Sequence, residues 1–108
     1  MTANFTPGCW VALNVIGCGP CDGRLVLAHL ISRQVLKREG LASRVWDPAV
    51  YQTVCGGAMG LSGHHGQIDG RTLAIPREVL PGALETFCEV HGLGWWLDRT
   101  YDEREVTA

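Results

Sequence analysis

No apolar run in this 108-residue chain approaches the ~18 residues that a membrane-spanning helix requires. Basic charge is not in excess either. Nine Lys and Arg stand against eleven Asp and Glu, a net charge of −2, which leaves no extended surface for a polyanion and sets nucleic acid aside as a partner. The N-terminal stretch, "MTANFTPGCWVALNVIGCG", lacks the basic n-region of a secretory signal. The expected compartment is therefore the cytoplasm, where thiols are normally kept reduced. There is no convincing internal repeat and no linker-like stretch, so the expectation is a single domain over 1–108.

What is present is cysteine and glycine. Five cysteines are many for a cytoplasmic chain of this length, and their odd number argues against a closed disulfide framework. In such a setting Cys pairs point to metal binding or redox chemistry. The 14 glycines are concentrated in "GGAMGLSGHHGQIDG", where Gly57, Gly60, Gly63 and Gly66 recur every third residue. Glycine at that density argues against a regular helix or central strand, and a mobile loop over 56–70 is expected.

Hydrophobic patterning outlines the elements around that loop. "WVALNVI" (10–16) reads as a buried strand, and Leu27, Leu30, Ile31 and Val35 form one face of a helix over about 24–39. Asp22 is placed to cap that helix and Gly40 to stop it. "SRVW" (43–46), "AVYQTVC" (49–55), "RTLAIP" (71–76) and "LGWWLDRTY" (93–101) read as strands. A second helix over about 79–91 carries Leu80, Ala83, Leu84, Phe87 and His91 on one face, with Gly92 as its stop. The resulting order, β-α-β(β)-β-α-β, predicts an α/β or α+β two-layer domain with a mixed sheet and two main helices.

The chemistry-bearing stretch is "VIGCGPCDGRLVL" (15–27), a Cys-Gly-Pro-Cys turn between the expected strand and helix. A helix N-terminus stabilises a thiolate, which would make Cys18 the attacking thiol and Cys21 the resolving one. This strand–turn–helix unit, over residues 10–40, resembles the active-site region of the thioredoxin family. The resemblance implies thiol–disulfide exchange through Cys18 and Cys21 without a cofactor, with a protein disulfide as substrate. Thioredoxins place a tryptophan before the first cysteine, where this chain has Gly17, and a cis-proline before a later strand, which has no counterpart here. Cys18 to Arg24 also resembles the Cys-x5-Arg anion loop of cysteine-dependent phosphatases, but Pro20 removes a cradle N–H and Asp22 sets a carboxylate at the anion's place.

The alternative is zinc. A C-x2-C knuckle directs two sulfurs to one ion, so Cys18 and Cys21 form one half of a site. The other half must come from Cys55, His64, His65 or Cys9, because neither a second C-x2-C nor an H-x3–5-H is present. Adjacent His64 and His65 point in different directions. On this reading the chain is a non-enzymatic interaction or regulatory module. Trp95, Trp96 and Tyr101, in the expected terminal strand, are the candidate surface for a protein partner or a second copy. Cys88, beside Phe87, reads as a small core residue.

Overall fold

The computed structural model describes residues 6–57 and 62–102. Its architecture is α+β, with five short α-helices and a two-stranded antiparallel sheet among those residues. The chain divides into two compact units, Met1–Leu73 and Ala74–Ala108.

In the first unit, α1 spans Trp10–Asn14, where a strand is expected from the sequence. Val11 and Val15 are buried and lie i, i+4 on one helical face, and the Asn14 side chain donates to the Trp10 carbonyl at 2.8 Å. Seven apolar-rich residues fit either period, and the i+4 pair decided the outcome. The expected helix over 24–39 is instead two elements, β1 (Leu25–His29) and α2 (Arg33–Arg38). Ser32 sets the boundary. Its Oγ accepts the Val35 N–H at 3.1 Å, an N-cap that starts the helix at Arg33 where the expected start is near 24. Gly40, at φ +79°, ends α2 as expected, with Leu41 N–H on Leu36 O and Gly40 N–H on Lys37 O.

The strand read at 49–55 is present as β2 (Tyr51–Cys55), paired with β1 in the register Leu25↔Cys55, Leu27↔Thr53, His29↔Tyr51. The expected strands at 43–46 and 71–76 are absent from the sheet. Ala42–Arg44 is a 3₁₀ turn, and Leu73 and Ile75 are buried without strand pairing among the described residues. A mixed sheet is therefore replaced by a two-stranded antiparallel one. Part of the expected loop is also helical: α3 spans Gly63–Asp69, while 58–61 lie outside the described residues. Ser62 precedes α3 in extended conformation, and the helix closes on Arg71, at φ +58°, whose N–H bonds Ile68 O while Thr72 N–H bonds Gln67 O.

The second unit contains the expected helix, shortened to α4 (Gly82–Val90), with Leu84, Phe87 and Cys88 buried and Gly92 as its left-handed stop. The expected terminal strand is helical: α5 (Gly94–Leu97) continues into a wide turn over Asp98–Asp102. Leu93, Trp96, Leu97, Thr100 and Tyr101 are buried at i, i+3, i+4, i+7 and i+8, a helical stripe in a segment whose aromatics favour strand. Trp96 and Tyr101 pack edge to face at 5.8 Å, so of the candidate partner surface only Trp95 faces solvent. Arg77 forms ion pairs with Glu85 of α4, at 2.9 Å, and with Asp98 just after α5.

Candidate metal centre

Four side chains from four separate segments of the first unit converge: Cys9, Cys21, Cys55 and His64. Cys9 precedes α1, Cys21 closes the Cys-Gly-Pro-Cys turn, Cys55 ends β2, and His64 is in the first turn of α3. Backbone donors fix two of the sulfurs. Cys55 N–H donates to Cys9 Sγ at 3.4 Å, and His64 N–H donates to Cys55 Sγ at 3.3 Å.

The 21–24 segment is fastened to the end of β2. Gly57 N–H donates to Asp22 O, Gly56 N–H donates to Arg24 O at 2.8 Å, and Ser62 Oγ donates to Asp22 Oδ2 at 3.2 Å. Asp22 is thus a latch between segments and caps no helix. Two glycines permit the close approach. A Cβ on Gly23 would lie 2.5 Å from the Gly57 backbone, and one on Gly63, at φ +63°, would lie 3.0 Å from Cys55 O and 3.1 Å from its sulfur. The glycine density that suggested a loop serves here to bring backbone against backbone around the cluster.

His64 is 0% exposed, and its two ring nitrogens have different partners. Nε2 lies 3.1 Å from Cys18 O and 3.2 Å from Gly19 O. Carbonyls only accept, so Nε2 carries the proton and Nδ1 presents its lone pair. Nδ1 faces the three sulfurs, at 3.2 Å from Cys55, 3.5 Å from Cys9 and 3.7 Å from Cys21. All four donor atoms lie within 4.8 Å of one another. A tetrahedral ion with Zn–S of about 2.3 Å and Zn–N of about 2.0–2.1 Å requires an S···N edge of ~3.6 Å. The cluster is therefore close enough to hold a metal ion, and its three S···N edges bracket the tetrahedral value.

The thiols are strongly differentiated. Burial pushes Cys9 up, but N–H donors from Ala12 and Cys55, then the His64 and Cys21 side chains, outweigh it and bring Cys9 down to about 7. Cys21 is pushed up to about 12, first by burial and then by the neighbouring Cys55 and Cys9 sulfurs, against a lowering backbone bond from Thr6. Three bare thiolates in so small a buried volume repel one another, and a divalent cation removes that conflict.

Cys18 and His65 are not brought into this group. The Cys18 S–H donates to Gly19 O at 3.3 Å, and burial raises its pKa, the first cause ahead of its own backbone bond and the Cys9 and Cys55 charges. The turn leads into β1 and no helix follows it directly, so the expected helix-terminus activation of Cys18 is lost. The thiol–disulfide reading gains no support from this geometry. His65 turns the other way, with Nε2 3.6 Å from Asp69 Oδ2 and Nδ1 buried without a partner. Cys88 belongs to the second unit, where burial, then the Glu85 charge, pushes it up to about 12 against Arg77.

The C-x2-C spacing pairs Cys18 with Cys21, but of the two only Cys21 enters the cluster. Cys9 was in the pool of second-half donors, but its position before a helix was hidden by the strand reading of 10–16. Among the described residues, no helix is long and apolar enough to cross a membrane. No family model, curated protein or solved structure matches this chain.

Proposed function

We propose that the first unit is a zinc-binding module and that the chain acts as a non-enzymatic interaction or regulatory protein. Cys9, Cys21, Cys55 and His64 hold one ion through three sulfurs and Nδ1. Soft sulfur with imidazole in tetrahedral array suits zinc over the oxygen-seeking cations. Four protein donors fill the coordination shell and leave no position for substrate, which makes the role structural. The Cys-Gly-Pro-Cys turn then has two tasks: Cys21 is a ligand, and the carbonyls of Cys18 and Gly19 orient His64 from outside the shell.

The observation that carries this reading is the orientation of His64: one nitrogen anchored on carbonyls, the other aimed at three thiols. Metal analysis of the purified full chain tests it. About one equivalent of zinc is expected, and replacement by Co2+ should give the strong sulfur-to-metal charge-transfer and visible bands of a tetrahedral thiolate site. Cys9→Ser or Cys55→Ser should abolish both. A protein that retains no metal and binds neither ion, or a Co2+ spectrum unchanged by both substitutions, would overturn the assignment.

A further inference from the structure

Among the described residues, one edge of the first unit's sheet has no backbone partner. Gly56 N–H donates to Arg24 O and Leu30 N–H donates to Val50 O, so the residue pairs 24↔56 and 30↔50 are hydrogen-bonded pairs of the β1–β2 ladder. Alternation along an antiparallel ladder then places the inward groups of β1 at Val26 and Ala28. The N–H and C=O groups of Leu25, Leu27 and His29 point away from β2, and among the described residues none of them has a backbone partner. The opposite edge is different. There Cys55 N–H is held by Cys9 Sγ, while Thr53 Oγ1 donates to Gly8 O, which lies over Leu25 on the face of the sheet.

Natural edge strands are protected by lysine, proline, a bulge or a covering element. β1, "LVLAH", has no Lys, no Pro and no charged residue, and its register with β2 is continuous through all five pairs. Leu25 and Leu27 are 38% and 41% exposed. On the same face at the far end of the strand, His29 packs against Trp46 at 5.1 Å and Tyr51 at 5.9 Å, and Trp46 is 57% exposed.

The geometry points to β1 as a dimerisation edge, its occupant being β1 of a second copy running antiparallel about a two-fold axis at Leu27. The self-complementarity of the strand argues for this partner. Centring on Leu27 aligns Leu25 with the copy's His29, so the residues with outward backbone groups on each strand meet, each pair exchanging both N–H···O bonds. No like charges meet, because the strand has none. On the exposed face Leu27 meets its own copy, and each Leu25 comes beside the His29–Trp46–Tyr51 cluster of the other chain. A two-stranded sheet, marginal by itself, becomes four-stranded.

The test uses the full metal-loaded chain at a series of concentrations. Sedimentation or light scattering should show a monomer–dimer equilibrium. Amide exchange at Leu25, Leu27 and His29 should slow as concentration rises, while Val26 and Ala28 stay protected throughout. Leu27→Lys sets two ammonium groups opposite each other and should weaken the dimer by about tenfold or more with zinc content unchanged. Leu27→Pro removes an N–H that β2 does not use and should do the same. A chain that stays monomeric at every concentration, a dimer equally tight in both variants, or concentration-independent exchange at the odd-numbered amides would overturn the proposal, the first leaving the edge to a strand from another protein.

Discussion

In the 74–108 unit, α4 and α5 bury a contiguous set of large apolar side chains, among them Leu84, Phe87, Leu93, Trp96, Leu97 and Tyr101. In the 1–73 unit no regular element among the described residues exceeds the seven residues of α3, and three of the fully buried side chains are Cys9, Cys55 and His64. Helices of five to seven residues are far too short to hold themselves, since nucleation costs outrun so few hydrogen bonds. The second unit is organised by apolar packing along helices. The first is built around a polar cluster, Cys9, Cys21, Cys55 and His64, close enough to hold a metal ion. Buried cysteine therefore has two settings: Cys88 is buried beside Leu84 and Phe87 on α4, whereas Cys9 and Cys55 belong to a cluster close enough to hold a metal ion.

Metal removal breaks this contrast most severely. Structural zinc sites in small domains contribute apparent free energies of about 10–16 kcal/mol near neutral pH, which exceeds what a fold of this size retains. A strong chelator, or His64→Ala, is expected to collapse amide dispersion for residues 6–57 and 62–73 while resonances of 74–102 keep helical shifts. Heteronuclear NMR reads both regions in one sample. If both regions lose dispersion together, or neither does, the contrast between them is wrong.

Leu84→Ala probes the other side. Leu84 is fully buried on α4, and truncation leaves a cavity expected to cost about 2–5 kcal/mol. A urea melt followed by the helical signal should shift accordingly, while zinc stoichiometry stays at its wild-type value. Loss of metal in this variant would show that the two units do not divide their stabilisation in this way.

A smaller effect, of opposite sign, is expected at Arg71. Both α2 and α4 close on a left-handed glycine, Gly40 and Gly92, but α3 closes with the same hydrogen bonds on Arg71 at φ +58°. A side chain there is strained by about 1 kcal/mol. Arg71→Gly should therefore raise the stability of the metal-loaded chain by about 0.5–1 kcal/mol, seen as a higher melting temperature. An unchanged or lower melting temperature would show that the arginine side chain offsets its own backbone strain.

The sequence reading succeeded where a single residue type has one dominant physical use. Gly40 and Gly92 were legible as helix stops, β2 as an alternating strand, and Leu84 and Phe87 of the α4 core face by their period. Of the five residues read on one face of that helix, Ala83 is exposed and Leu84 and Phe87 are buried on α4. The reading failed where short apolar runs fit both periods. Residues 10–16 and 93–101 are rich in tryptophan and β-branched side chains, and that composition masked the i, i+4 spacing of Val11 with Val15 and Trp96 with Thr100. Ser32 carried the signal that splits 24–39 into a strand and a helix, but a longer amphipathic stripe overrode it. All four residues of the candidate metal centre were named through cysteine and histidine chemistry, together with Cys18 and His65, which lie outside it. Its membership was not legible, because ligands separated by 11, 33 and 8 intervening residues are assembled by sheet register and by glycine-permitted backbone contacts, neither of which is local.

Cys18→Ala is expected to do least, and it bears most directly on the Cys-Gly-Pro-Cys turn. If the turn were a redox centre, or a knuckle with both sulfurs on one ion, Cys18 would be indispensable. Among the described residues its sulfur bonds only Gly19 O, while its contribution to the candidate metal centre is a backbone carbonyl that accepts from His64 Nε2. Alanine keeps that carbonyl. Zinc content and the Co2+ spectrum should therefore be unchanged, and stability should fall by no more than about 1 kcal/mol, the cost of trimming one small buried group. Cys21→Ala, three residues away, should by contrast lose the metal. Equal losses from both substitutions would restore the symmetric knuckle and displace Cys9 from the site, so this pair of variants separates the turn's two cysteines into one ligand and one bystander.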